Sequence, residues 1–177
     1  MEIAARTVTP SVTEISNYEY FNQFDGVDAI HDLLKNKKYK QAITKIKQLC
    51  KDAKNVEFPL NRGGYTRNIL SKKDGYWLSF LHWDKDVITP VHGHPDQAFL
   101  YAVKGNIEIK NYQQEGKKPL ALKDTESLAK GDFTYSHGQA KSYDNAIHQI
   151  STKEQTLTLH FYSDDPTKGK LFRKKTA

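Results

Sequence analysis

From Gly63-Gly64 onward the sequence consists of short runs rich in aromatic and β-branched residues, separated by turn residues. The runs cover residues 65–70, 76–83, 98–109, 133–135, 146–150 and 157–162. Lys104-Gly105-Asn106, inside the third run, is typical of a tight hairpin because Gly and Asn tolerate positive φ. Many short strands with glycine-containing turns predict a sandwich or a small barrel built mainly from β-strands.

The preceding segment has a helical period. Between Tyr18 and Lys54 apolar residues recur at spacings of three and four, which predicts two helices. The residues on this stripe are Ile30, Leu33, Leu34, Tyr39, Ala42, Ile43, Ile46, Leu49 and Cys50. We therefore expect one domain in all, with an N-terminal extension at 1–17, a helical segment at 18–64 packed on the barrel, the barrel at 65–165 and a basic tail at 166–177.

Charge and cysteine content narrow the classes of partner. The 27 basic and 21 acidic residues give a net charge of +6, much of it in residues 36–41 and 168–177. No nucleic-acid motif accompanies this charge, so we interpret it as solvated surface. Cys50 is the only cysteine, and residues 1–15 hold no apolar run of signal-peptide or membrane length. We expect a cytoplasmic protein with no nucleic-acid or membrane partner; its oligomeric state is open, with a monomer favoured.

The tripeptide His92-Gly93-His94 is the strongest chemical signal. Two imidazoles two residues apart on a β-strand point to the same face and can bind one metal ion. A pair of surface histidines is the alternative interpretation of this tripeptide taken alone. Many barrel sites add a glutamate four or five positions later, where this chain has Ala98-Phe99. His148, in a segment of alternating apolar and polar residues, is a better candidate for the third ligand.

Three neutral imidazoles suit Fe(II), and they leave three open positions on six-coordinate iron. They also leave the charge of the metal uncompensated. Such a site favours an anionic, chelating substrate together with dioxygen.

Two further strands carry polar residues in informative positions. Thr158, His160 and Tyr162 share one strand face and could form a hydrogen-bonded relay, although an ordinary satisfied polar ladder has the same pattern. Arg67 taken alone would be a surface or ion-paired residue. Inside a barrel strand its guanidinium needs an anionic partner to offset desolvation, and a substrate carboxylate provides one.

These motifs, in this order, resemble those of the cysteine dioxygenases, small cupins that use non-haem iron. The resemblance covers residues 65–163. Residues 65–68 (YTRN) are similar to a strand of the same sequence in the family, and residues 158–163 resemble its SLHLYS strand. Trp83 stands nine residues before His92, as the tryptophan of the family does.

The resemblance implies a cupin-type small β-barrel, or jelly roll, with N-terminal helices. It implies Fe(2+) as the cofactor, held by His92, His94 and His148. It also implies roles for the other motif residues. Arg67 would hold the substrate carboxylate, Tyr65 would line the pocket and Trp83 would pack behind the iron, while a relay would end at the substrate through Thr158, His160 and Tyr162.

The sequence departs from the family pattern in two places. Many animal members carry a cysteine crosslinked to the relay tyrosine, and the matching position here is Ala98, so we expect no crosslink. The stretch between Tyr135 and His148 is several residues longer than in the family and contains His137, which could alter substrate preference.

The activity implied by the resemblance is oxidation of L-cysteine by O2 to cysteine sulfinate, with a small thiol and O2 as the partners. Two alternatives stay open. One is a dioxygenase for another thiol, such as 3-mercaptopropionate or a larger thiol admitted by the segment around His137. The other is a non-catalytic cupin that binds a metal or a small ligand.

Overall fold

The computed structural model describes residues 10–173. In chain order the elements are β1 (Ser11–Ser16), α1 (Tyr18–Phe21), α2 (Val27–Lys35), α3 (Tyr39–Asp52), β2 (Gly64–Lys73), β3 (Tyr76–Trp83), β4 (Val91–His94), β5 (Gln97–Lys104), β6 (Ile107–Gln113), β7 (Ala121–Leu128), β8 (Phe133–His137), β9 (Asn145–Ser151), β10 (Thr156–Tyr162) and β11 (Leu171–Phe172). A short 3₁₀ turn at Pro166–Lys168 precedes the last strand.

The strands form two sheets. The larger has the order β1-β2-β3-β10-β5-β8, and the smaller has the order β11-β4-β9-β6-β7. Neighbouring strands are antiparallel except β1 and β2, which are parallel. The predicted mainly β class with N-terminal helices is confirmed, although the two sheets do not close into a barrel.

Strand β10 shows how the molecule is layered, because successive side chains of a strand point to opposite faces. One face is apolar and packs in the cluster that the helices cover: Leu157, Leu159 and Phe161. The opposite face is polar and buried: Thr158, His160 and Tyr162. The larger sheet is thus covered on both faces, and its inner face holds the polar residues of the predicted site.

The predicted helices are α2 and α3, and α1 adds a single turn. Their buried side chains pack on the outer face of the larger sheet: Val27, Ile30, Leu34, Ala42, Ile46 and Leu49. Cys50 packs half-buried against this cluster, and burial raises the pKa of its thiol to about 11. This agrees with an interpretation of Cys50 as a small core residue.

The structure adds strands in the segments predicted as extension and tail. Strand β1 pairs with β2 over six residues, and β11 pairs with β4 beside the histidine tripeptide. The predicted segment boundaries stay a prediction. Within residues 10–173 no helix combines the length and apolar character needed to cross a bilayer.

His31 is a buried polar residue of α2. Its Nε2 lies 3.2 Å from the Lys73 carbonyl oxygen, and its Nδ1 lies 3.0 Å from the Ser71 hydroxyl. A neutral imidazole fits both, since one nitrogen donates to the carbonyl and the other accepts from the hydroxyl. Burial lowers the pKa of His31, more than the hydrogen bond to Lys73 raises it.

Acid should therefore remove a stabilising contribution of His31. Its folded-state pKa lies below that of the unfolded chain, so this contribution is present above about pH 6.5 and is lost as the pH falls towards the folded-state value. The free energy of unfolding, measured in urea at several pH values, should favour wild type over His31→Gln most at pH 7 and less at pH 5. A difference between the two proteins that is the same at both pH values would contradict a buried neutral His31.

Candidate metal centre

Three histidines from two strands of the smaller sheet converge on one point. His92 and His94 lie on β4 and His148 lies on β9, directly opposite His92 in the strand register. One nitrogen from each ring can be chosen so that all three lie within 4.8 Å of one another. The structure thus brings together the three residues that were predicted as metal ligands.

An irregularity in the β4–β9 pairing affects the orientation of one of the three rings, that of His94. His92 pairs with His148 but His94 pairs with Asn145, so the register shifts between them. Ala146 lies in the shifted stretch with φ of 46°, a left-handed conformation that is uncommon for a residue other than glycine. Its carbonyl oxygen lies 3.0 Å from Nδ1 of His94. The bulge therefore supplies the hydrogen bond that orients this imidazole.

The glycine of the tripeptide is required by a close approach. A Cβ atom at Gly93 would lie 2.5 Å from the Cα of Asp144, which belongs to the segment leading into β9. That contact is with backbone, so a side chain at position 93 would push β9 away. Glycine here keeps His148 close to His92 and His94.

The protonation of the cluster fits metal binding. Nδ1 of His92 lies 2.8 Å from the Pro90 carbonyl and Nδ1 of His94 faces that of Ala146, so both Nδ1 atoms donate and both Nε2 atoms keep a lone pair. Nε2 of His94 and Nε2 of His148 are buried and have no hydrogen-bond partner. Burial lowers the pKa of all three rings, to about 3 for His94. Neutral imidazoles with unpartnered lone pairs are the donors that a divalent transition metal takes.

A chain of hydrogen bonds approaches this cluster from the larger sheet. Nε1 of Trp83 donates to the Thr158 hydroxyl over 2.8 Å, and this hydroxyl lies 2.8 Å from Nε2 of His160. Nδ1 of His160 lies 2.7 Å from the Tyr162 hydroxyl. The Tyr162 ring lies parallel to that of His94 with 5.8 Å between centroids. The predicted relay residues are therefore joined in one line that ends beside a candidate ligand.

The available donors and acceptors fix the direction in which these hydrogen bonds are donated. The indole N–H of Trp83 can only donate, so the oxygen of Thr158 accepts from it. Among the described residues the Thr158 hydrogen has one acceptor, Nε2 of His160. Burial holds the pKa of His160 well below its usual value, so the ring is neutral and its single N–H, at Nδ1, donates to Tyr162. The Tyr162 O–H is then free to donate, and burial raises its pKa so that it stays protonated.

A cavity of about 490 Å³ opens beside the histidines and contains the predicted substrate-binding residues. Arg67 is 7% exposed, and its Nη1 donates to the Glu14 carboxylate over 2.7 Å. Its Nη2 lies 3.5 Å from the Tyr65 hydroxyl, and its buried Nε has no partner. Glu14 therefore supplies the anionic partner that the sequence argument assigned to a substrate carboxylate. The unpartnered Nε of Arg67 is the remaining observation that indicates a bound ligand.

A second cavity, of about 240 Å³, reaches the cluster from another side. It is lined by His94 and His148, and also by Tyr162 and Ala98. Ala98 is paired with Tyr162 in the β5–β10 register. A cysteine at position 98 would thus stand beside the relay tyrosine, as the family resemblance implies for members that have one.

The His137 side chain lies outside both cavities, whereas Glu14 lines the larger one. The His137 side chain lies 2.9 Å from the Tyr39 hydroxyl of α3 and lines neither cavity. Tyr135 and Ser136, which precede it, do line the second cavity, so the expectation that the segment around His137 shapes substrate choice stays a prediction. Glu14 was not singled out, because it lies on a short strand whose sequence gives no register.

Solved structures of cupin proteins are similar to part of the chain. A cupin superfamily protein from Desulfitobacterium hafniense DCB-2 is 15% identical, with a TM-score of 0.47 over 64% of this chain and 87% of that one. An RmlC-like cupin from Shewanella frigidimarina NCIMB 400 is 16% identical, with a TM-score of 0.45 over 62% of this chain and 84% of that one. A cupin 2 domain-containing protein from Halorhodospira halophila is 16% identical, with a TM-score of 0.47 over 66% and 76%. Their TM-scores lie below 0.5, and they assign neither a family nor a function to this chain.

No protein-family model and no curated protein matches the sequence. The narrower resemblance to cysteine dioxygenases therefore stays a prediction.

His148→Ala should abolish stable metal binding, although His148 lies more than fifty positions from His94. Two imidazoles form a weak chelate and the third completes the set, so the loss in affinity should exceed the roughly ten- to hundredfold typical of an outer-shell partner. Metal content after dialysis, measured by mass spectrometry, checks this. His137→Ala is the matched control and should keep its metal. If His148→Ala keeps it too, the third ligand is another group.

The intact protein should have the mass of its sequence. Ala98 offers no sulfur to Tyr162, and the only sulfhydryl belongs to Cys50, which packs in the helix cluster. Mass spectrometry of the purified protein should show no loss of two hydrogens, and a denaturing gel should show a single band. A thioether mapped to Cys50 and Tyr162 would contradict this placement of Cys50.

Proposed function

We propose that the protein is an iron-dependent thiol dioxygenase that oxidises L-cysteine with O2 to cysteine sulfinate. The observation that carries the proposal is that the Tyr162 relay meets His92 and His94 of the three-histidine cluster at one cavity. A hydroxyl that is free to donate stands beside three neutral imidazoles, and a guanidinium lies on the same wall. We also propose a cytoplasmic location, because a single cysteine cannot form the intramolecular disulfides that are typical of oxidising compartments.

His92, His94 and His148 would hold the iron through their Nε2 atoms. Iron held there would supply a Lewis acid that lowers the pKa of a coordinated thiol and a common binding point for thiol and dioxygen. The imidazoles contribute no charge. An anionic thiolate is therefore the ligand best matched to the positive charge of the metal.

The remaining residues act on the substrate. Tyr162 can donate its O–H to the reacting sulfur or oxygen, and Trp83, Thr158 and His160 keep that proton directed into the cavity. Arg67 still has an unpartnered Nε with which to hold a carboxylate. Tyr65 packs on Trp83 with 4.3 Å between ring centroids and forms a wall of the cavity.

A second candidate is a dioxygenase for another thiol. The cavity of about 490 Å³ lies within the range that holds drug-sized ligands, which is more room than cysteine requires. This observation favours a larger thiol over a smaller one. A substrate panel therefore has to include 3-mercaptopropionate and thiols larger than cysteine.

Oxygen consumption by the iron-loaded protein, measured with an electrode across this panel, tests the proposal. Cysteine should be consumed with one O2 per thiol, and the sulfinate should be the product by mass spectrometry. His148→Ala is the metal-free control. Full iron content with no oxygen uptake on any thiol would overturn the proposal in favour of a non-catalytic cupin that binds a metal or a small ligand.

Arg67→Ala should reduce kcat/KM for cysteine by about ten- to a hundredfold, because a charged hydrogen-bonded pair in a partly buried site is lost. Iron content should not change. Cysteamine, which has no carboxylate, should be a poor substrate of the wild type and should lose little more in the variant. Steady-state kinetics of both proteins with both thiols form a double-mutant cycle, in which removal of the guanidinium from the enzyme is compared with removal of the carboxylate from the substrate. Equal losses for the two thiols would assign Arg67 a structural role.

A further inference from the structure

The second cavity, of about 240 Å³, has no role in the reaction proposed above. It meets the larger cavity at a common wall, because His94, His160 and Tyr162 line both. Beyond this wall the two cavities differ. Arg67 lines only the larger cavity, whereas His148 lines only the second one. The histidine cluster can therefore be reached from two sides.

The second cavity extends from the protein surface to the histidine cluster. Lys123, whose side chain is 62% exposed, lines its outer part. Asn111 and Glu126 also line it and are joined by a hydrogen bond of 2.6 Å. At the inner end lies His148, whose buried Nε2 has no partner. A small molecule that enters beside Lys123 thus comes to a candidate ligand atom without crossing the larger cavity.

The walls between these two ends are largely apolar. Leu100, Ile109 and Ile147 are buried there, beside Ala98. The volume lies below the roughly 300–1,000 Å³ of pockets that hold drug-sized ligands. Apolar cavities in proteins stay dry and take up apolar molecules such as xenon, whereas a charged molecule loses its hydration there without compensation. A small apolar gas therefore matches this cavity better than an amino thiol does.

We propose that the second cavity is the entry route and docking site of dioxygen, separate from the cavity that holds the thiol. The inference rests on the proposed thiol dioxygenase function and assigns a site to its second reactant. While a thiol held by Arg67 fills the larger cavity, dioxygen needs another way to the histidines. The second cavity provides one, and it ends beside Tyr162, whose hydroxyl is free to donate.

The alternative is that the second cavity is a packing defect and that gas enters through the larger cavity. The two roles predict different patterns. If the second cavity is the route, narrowing it slows the arrival of gas mainly when a thiol blocks the larger cavity. If it is a packing defect, narrowing it has no effect on the arrival of gas, with or without a thiol.

Xenon binding to Ala98→Leu tests the docking site directly. Ala98 lines the second cavity and is paired with Tyr162 on β10, so a leucine at this position fills space close to the metal centre. Crystals of wild type under xenon pressure should show bound xenon in the second cavity, and crystals of Ala98→Leu should not. This measurement requires neither iron nor turnover.

Nitric oxide, a diatomic analogue of O2, tests the route. The iron-loaded protein is mixed with nitric oxide in a stopped-flow instrument, with and without saturating cysteine and in the absence of oxygen. Ala98→Leu should slow the association of nitric oxide about tenfold when cysteine is bound and by less than about twofold when it is absent. The dissociation constant of cysteine should be the same for both proteins.

Ala121→Leu is the matched control. Ala121 is exposed on β7 and lines neither cavity, so the same substitution there should change neither xenon binding nor any rate. Ser136→Leu provides a second narrowing variant should Ala98→Leu fold poorly. Ser136 is paired with Ala98 in the β5–β8 register and lines the same cavity, so it should give the same pattern as Ala98→Leu.

The results separate this inference from the proposed function. Absence of xenon from the second cavity of wild type, or nitric oxide rates that do not differ between wild type and the narrowed variants with cysteine bound, would overturn the route even if wild type consumes oxygen. Equal slowing with and without cysteine would also overturn it, because the substitution would then act on the metal centre itself. The expected pattern without any oxygen uptake would keep the gas site and overturn the dioxygenase. Absence of cysteine binding to the iron-loaded wild type would overturn both.

Discussion

The site depends on the antiparallel pairing of β4 with β9. This pairing joins two segments that are far apart in the chain and sets His92 opposite His148. The register shift beside it turns the Ala146 carbonyl towards His94, and Gly93 lets the two segments approach. Without the shift, a regular antiparallel ladder would pair His94 with Ala146 in place of Asn145.

Polar side chains in this protein are buried at a cost that hydrogen bonds mostly offset. Among the described residues, three buried side-chain atoms have no partner: Nε of Arg67, Nε2 of His94 and Nε2 of His148. Two belong to the candidate metal centre and the third to the adjoining cavity wall. A fold that satisfies its other buried side chains leaves these atoms free where a metal ion and a ligand are expected to bind.

Much of this arrangement follows from local sequence pattern. Alternation in residues 157–162 predicts a strand with one polar face, and the period of three and four before residue 54 predicts the helices that cover the other face. The spacing in His92-Gly93-His94 places two rings on one face. His148 could only be a candidate, because periodicity gives no strand order. The bulge at Ala146 and the position of Glu14 could not be predicted from the sequence. Both depend on the register between strands, and this register is set by the packing of the folded protein.

The charges of the site indicate which kind of ligand it binds. The four histidines around it are neutral because burial lowers their pKa, and Tyr162 stays protonated because burial raises its pKa. Glu14 cancels Arg67. The protein thus contributes no net charge to the cavity, and the full charge of a divalent metal would be left for the ligand to balance. An anionic sulfur ligand meets that need.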